Sequence, residues 1–119
     1  MGVHLKNELP VVQKAYDAAK ELVSRAARFP REHKFTLGDR IVDEVVTLLT
    51  CLVQAGYGAD RVTHLREASH RLDRLRVLLR LSRDLGPMSD KGYEYTTIML
   101  HDLGKQIGGW LRQAEAKSG

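Results

Sequence analysis

From Asp60 to Leu85 the chain reads DRVTHLREASHRLDRLRVLLRLSRDL, and no other stretch limits the possible folds as much. Leu65, Ala68, Leu72, Leu75 and Leu79 recur at alternating spacings of three and four, which stacks them in one line on a helix of 3.6 residues per turn. Beside that line stand Arg61, Arg66, Arg71, Arg74, Arg76, Arg80 and Arg83, against Asp60, Glu67, Asp73 and Asp84. Such a helix must bury its leucine seam on other helices and still find an outlet for its charge. At about 100° per residue, Arg76, Arg80 and Arg83 fall on the seam side rather than opposite it. Their guanidinium groups must reach out past a packed contact, pair with acids of another helix or subunit, or line a groove that meets an anion. Asp73 to Arg76 and Arg80 to Asp84 are spaced for ion pairs along the helix, each worth about a few tenths of a kcal/mol. On the residues alone, solvated or locally paired surface weighs about as much as phosphate or partner binding.

The flanking stretches supply the partner helices. Leu9 to Phe29 reads as a helix with Val12, Tyr16, Ala19, Val23, Ala26 and Ala27 on its apolar side and Pro10 tolerated in its first turn. Arg25 and Arg28 lie near its C-terminal end, where cations complement the helix dipole, and Pro30 closes it. The connection FPREHKF adds Arg31, His33 and Lys34, a second basic cluster expected on an exposed loop at one end of the fold. Thr36 is placed as an N-cap with Asp39 three residues on, opening a helix to about Tyr57. Ile41, Val45, Leu48, Leu52 and Ala55 form one seam on it, and Val42, Val46, Leu49 and Val53 form a second. That arc is wider than one bundle core needs, so the second seam is expected to pack on a neighbouring subunit.

Gly56 and Gly58 break the chain, Asp60 is expected to cap the arginine helix, and Gly86-Pro87 forms the next break. Ser89 caps a last helix running through Tyr93, Thr96, Met99, Leu103, Ile107, Trp110 and Ala114. Gly104 and Gly108 on it predict close backbone approach of another helix, because a glycine inside a helix otherwise costs up to about 1 kcal/mol against alanine. Trp110 reads as a core or interface anchor, and the tail AEAKSG is expected to fray. The expected fold is all-α: helices over about 9–29, 36–57, 60–85 and 89–116, forming an antiparallel up-down-up-down four-helix bundle as a single domain over 1–119.

Composition removes several classes of function. With 43% hydrophobic and 29% charged residues, the 119-residue chain has an ordinary globular balance. Its apolar runs are only a few residues long and MGVHLKNELP lacks an apolar signal core, so the expected location is the cytoplasm and no membrane is involved. Lys6, where Ser or Thr is needed, argues against myristoylation after Met1-Gly2. Cys51 sits among leucines and reads as a buried, inert thiol. Glu67-x-x-His70 has the spacing of di-iron bundle ligands, but those sites need it twice, and Ile98 stands where His101 would need a glutamate. His64, Glu67 and His70 are therefore read as solvated rather than metal-binding. There is no phosphate-binding glycine loop, Cys-x-x-Cys or nucleophile elbow, so neither catalysis nor a cofactor is expected. The formal charge of +4 favours anionic partners, nucleic acid first.

PREHKFTLGDRI, the LVQAG that ends the second helix, LDRLRVLLRLSRDL, the MS before the last helix and IGGWL near the C-terminus resemble, in order and spacing, the accessory variability determinant (Avd) proteins of diversity-generating retroelements. These are related to the four-helix bundles encoded in intervening sequences of bacterial 23S rRNA, and the resemblance runs from about Leu9 to Ala114. It implies a homopentameric barrel of small bundles that binds the retroelement's reverse transcriptase and its template RNA or the DNA copy, as a non-catalytic partner in mutagenic retrohoming. The family pattern L-x-x-L-R-x-x-L-R falls on Leu72, Leu75, Arg76, Leu79 and Arg80, and by analogy Arg31 and Lys34 add backbone contacts. Arg83, Arg74, Arg28 and Arg25 complete the candidate basic set. In one respect the sequence is thinner than the resemblance implies: its C-terminal stretch carries only Lys117 after Arg112. The alternative is a bundle of the intervening-sequence type with a structural or purely protein-binding role.

Overall fold

The computed structural model describes residues 9–118; Met1, Gly2 and Lys6 lie outside them. Among the described residues there are four helices and no strand. Helix α1 spans Pro10–Ala27 and starts on a proline whose missing N–H no helix partner would have used. It buries Val11, Val12, Ala15, Ala18, Ala19, Leu22 and Ala26. The expected face is therefore turned by about one residue, leaving Tyr16, Val23 and Ala27 exposed. The alanines explain the turn: a small-residue line lets α1 lie close on its neighbours, while the bulkier Tyr16 and Val23 have room only outside.

Helix α2 departs from the expected boundaries at its start. It opens at Arg31–His33, passes through a π-helical segment at Lys34–Gly38, and continues as Asp39–Gly56. The basic stretch after Pro30 is thus helical, not a loop. The Pro30 carbonyl accepts the His33 and Lys34 N–H groups at 2.9 Å, so the proline that ends one helix also begins the next. Thr36 is not an N-cap; its hydroxyl donates to the His33 carbonyl at 3.3 Å from inside the helix. The Asp39 N–H donates to the Lys34 carbonyl five residues earlier, the wide turn that gives the segment its character.

Helix α3 spans Arg61–Leu85 and α4 spans Asp90–Ser118. Asp60 does not cap α3 with its side chain: it sits in the left-handed region at φ 52°, and its carbonyl accepts the His64 N–H at 3.0 Å. Gly86, at φ 109°, ends α3 with its N–H directed to the Ser82 and Arg83 carbonyls. Ser89 does cap α4, its hydroxyl oxygen accepting the Gly92 N–H at 3.0 Å. The C-terminal residues expected to fray continue α4 as far as Ser118.

Long-range ion pairs fix the directions. Arg66, early in α3, meets Glu115, late in α4, at 2.8 Å. Lys14 of α1 meets Asp102 of α4 at 2.8 Å, and Arg25, further along α1, lies over Tyr95, earlier on α4. Both pairs of helices are therefore antiparallel, and with short connections the chain runs up-down-up-down. Leu65, Ala68, Leu72, Leu75 and Leu79 are all buried, as the periodicity of α3 predicts. They meet Ile41, Val45, Leu48 and Leu52 of α2 and Leu100, Leu103 and Ile107 of α4 in one core. Each fully buried leucine or isoleucine contributes about 2 kcal/mol against exposure. Among the described residues Ser82 and Thr96 are the buried polar ones, and both donate within their own helix, to the Leu78 and Gly92 carbonyls at 2.8 Å. Cys51 is half-buried, and burial pushes its thiol pKa up, away from reactivity. No described helix is long and apolar enough to cross a membrane.

Candidate nucleic-acid interface

The antiparallel arrangement brings the C-terminal ends of α1 and α3 and the N-terminal ends of α2 and α4 to the same end of the bundle. Arg25 and Arg28 come from α1, Arg31 and Lys34 from the start of α2, and Arg80 and Arg83 from the last turns of α3. Six of the eight basic residues singled out in the sequence therefore gather on one pole, although the sequence separates them into two clusters some fifty residues apart. Arg76 lies one turn further in on the same flank of α3 as Arg80 and Arg83. Arg74 does not join them: it falls on the α2 side of α3 in line with Glu67 and Arg71, where its charge helps hold the Glu67 pKa down.

Geometry separates the arginines with structural partners from those without. Arg25 donates to Glu21 at 2.6 Å, its guanidinium lies 5.4 Å from the Tyr95 ring centre, and it rests against the backbone of Gly92, where a Cβ would lie 2.7 Å from Nη1. Arg83 holds Asp84 at 3.0 Å and stacks over Tyr93 at 4.5 Å. The first turns of α4 are thus clasped by an arginine from each side, with cation–π contact to two tyrosines. Arg76 pairs with Asp73 at 3.0 Å, as the spacing predicts, and lies over Gly104. Gly104 is thus met by another helix, but through the Leu72 and Arg76 side chains rather than through the expected backbone approach. Gly108 is not, since a Cβ there would meet only its own helix's Arg112.

Arg80 departs from the expected pairing with Asp84, which is taken by Arg83. Arg28 donates to the Ser24 hydroxyl at 2.9 Å, and among the described residues neither it nor Arg31, Lys34 or Arg80 has a carboxylate partner. Arg28, Arg31 and Arg80 are exposed and Lys34 is half-buried. These four carry charge that the fold itself leaves uncompensated. A cavity of about 190 Å³, lined by Arg25, Arg28, Phe29, Pro87, Met88 and Ser89, opens between α1 and the α3–α4 connection at this pole.

Other arginines of α3 are occupied in holding the bundle together. Arg61 donates to the Ala55 carbonyl at 2.8 Å and lies 5.7 Å from the Trp110 ring centre, closing α2 and steadying the half-buried tryptophan. Arg71 links α2 to α3 by bonding Glu67 at 2.8 Å and Glu44 at 3.2 Å. The Arg71 hydrogen bond holds the Glu67 carboxyl below the usual glutamate range, and its two acids raise Arg71 in turn. Glu67 is therefore engaged, with His70 Nδ1 3.9 Å away, and no group of three or more potential metal ligands occurs among the described residues.

On α2, Val46 is 42% exposed, while Val42, Leu49 and Val53 are half-buried. They make a continuous apolar strip beside the buried seam. A further feature is not evident from the spacing of α4 alone: Tyr95 and Ile98 are 55% and 64% exposed and open a trough completed by Met99, His101, Asp102 and Lys105. Its signal in the sequence is a second apolar series displaced from the buried one, which merges with it when Tyr93 and Met99 are placed on a single face.

A family model described as bAvd-like matches residues 9–114. A search of curated proteins found no match for the chain.

Proposed function

We propose that this chain, which belongs to the bAvd-like family, acts without catalysis of its own, binding the reverse transcriptase of a diversity-generating retroelement together with its template RNA or the DNA copy. Membership makes it an Avd-like accessory protein; the partners are inferred. The observation that carries the reading is the gathering of Arg28, Arg31, Lys34 and Arg80 at one pole with no carboxylate partner among the described residues. Cations of this kind are compensated on binding by phosphates, whose release of counterions makes the attraction strong at low salt. Arg25, Arg76 and Arg83 stand beside them in weaker surface pairs that a phosphate can displace. Arg74, on the other flank of α3, is assigned to the polymerase contact rather than to this pole.

A single chain of charge +4 has only a modest field. Assembly multiplies it, and we assign the Val42, Val46, Leu49 and Val53 strip to the seam between copies of a homopentamer working in the cytoplasm. Several poles held on one scaffold engage one strand at once, raising affinity without any new contact.

The deciding experiment measures RNA and polymerase binding by Arg76→Ala combined with Arg80→Ala across a salt series. The double variant is expected to fold and assemble as the wild type does, to bind more weakly, and to show a shallower dependence of log affinity on log salt, by about 0.7–0.9 for each phosphate that no longer meets a cation. Unchanged affinity at matched salt would remove the pole from the interface. Absence of any RNA interaction, with partner binding indifferent to salt, would favour the intervening-sequence-type alternative.

A further inference from the structure

The trough on α4 has no part in the core and is not explained by charge. It is lined by Tyr95, Ile98 and Met99 together with His101, Lys105 and Asp102, the last already held by Lys14. Its volume is about 540 Å³. Tyr95 and Ile98, among the more exposed apolar side chains of the protein, lie on a helix whose other outward positions are mostly polar or charged. At its upper end the Arg25 guanidinium covers one part of the Tyr95 ring at 5.4 Å, and Arg25 also lines the cavity at the basic pole. A cation and an aromatic ring thus meet where the pole joins the α1–α4 face.

We propose that this trough receives unpaired bases of a single-stranded nucleic acid, with the Tyr95 ring as the stacking platform and Arg25 and Lys105 meeting the adjoining phosphates. The inference rests on the reading of the basic pole and specifies which form of nucleic acid that pole serves. Proteins that hold single strands combine a cationic track with aromatic faces, because every base offers a π-surface while a duplex keeps its bases stacked inside. The composition of the trough favours this occupant over a second copy of the chain. Lysine is depleted from the cores of protein–protein interfaces, and the α2 strip, with no cation among its four residues, already has the character of such a seam.

The test compares an unstructured RNA oligonucleotide with a duplex of equal length, binding to the intact protein at one salt concentration, for wild type, Tyr95→Leu and Tyr95→Phe. Because Tyr95 is an exposed helix residue, each variant keeps the fold. Tyr95→Leu is expected to lose about tenfold in single-strand affinity, within the range for removing one base-stacking ring, and to leave duplex binding unchanged. Tyr95→Phe, which keeps the ring, should bind as the wild type. A 2-aminopurine placed in the single strand should be quenched by wild type and Tyr95→Phe but not by Tyr95→Leu. If Tyr95→Leu binds both forms as the wild type does, while Arg76→Ala with Arg80→Ala still weakens binding, the trough is not a base platform and the pole stands without it. A fall in native mass caused by Tyr95→Leu would show that another copy covers the trough and would overturn the inference. Failure of the wild type to bind either form would overturn both the inference and the reading beneath it.

Discussion

Arg76 of α3 lies across the backbone of Gly104 on α4, so close that a methyl group on that glycine would come 2.6 Å from Nη2 and 3.0 Å from Leu72 Cδ2. The missing side chain on one helix is what allows the cation of the other to occupy the space between them.

Gly104→Ala therefore separates position from charge. Alanine favours the helix by up to about 1 kcal/mol, which offsets the small shift asked of Leu72, while the guanidinium is driven outward. Thermal melting is expected to stay close to wild type, and RNA affinity to fall toward that of Arg76→Ala. Wild-type affinity in Gly104→Ala would mean that Arg76 binds equally well from a displaced position.

Val46→Glu tests the α2 strip. At 42% exposure the residue contributes little to the core of one chain, so the folded monomer should lose no more than roughly 0.5 kcal/mol. A carboxylate buried without a partner at a subunit seam costs several times that. Native mass measurement is expected to show smaller particles with undiminished helical circular dichroism. Retention of the wild-type mass would place the seam elsewhere.

Acid should loosen the bundle in a defined direction. Arg71 holds Glu67, and Lys14 holds Asp102, below their usual carboxyl ranges. A group whose pKa is lower in the folded state binds fewer protons there, so its contribution is present above the unfolded value, about 4, and is lost as pH falls through the folded value. Melting temperature is expected to be level near neutrality and to decline below about pH 4. The combined variant Glu67→Gln and Asp102→Asn should start lower and decline less. A parallel decline in the two proteins would assign the acid sensitivity to other carboxylates.

The periodic parts of the fold are legible because burial follows spacing directly. Leu65 through Leu79 and Ile41 through Ala55 are buried as their intervals require, and Ser89 caps α4 as its position suggests. The start of α2 is not legible in the same way. Thr36 with Asp39 imitates a cap, yet Pro30 followed by Glu32 in the first turn is the operative start signal, since a proline needs no N–H partner there and an acid complements the dipole. Nor does any local pattern announce a turn closed over five residues rather than four. On α1, alanine spacing outweighs the larger side chains, so Tyr16 and Val23 lie outside although their size suggests the interior.

For the basic residues the sequence supplies identities without neighbours. That Arg25 and Arg83 reach the same end of the bundle follows from the direction of four helices, a property of the whole chain. The one-turn separation of Arg76, Arg80 and Arg83 is readable, but their different fates are not: Arg76 rests on Gly104, Arg83 on Tyr93, and Arg80 meets no carboxylate among the described residues. Those differences depend on which α4 side chain is small and which is aromatic at each level.

The π-helical turn at Lys34–Gly38 accommodates one surplus residue without shifting the leucines downstream of it. Removing a single residue there would close the wide turn to an ordinary α-helical one and leave both Arg31 and the lower half of α2 facing much as they do. The aim of the cationic crown can thus survive a one-codon loss, because the wide turn holds the spare residue and the hydrophobic interior stays as it is.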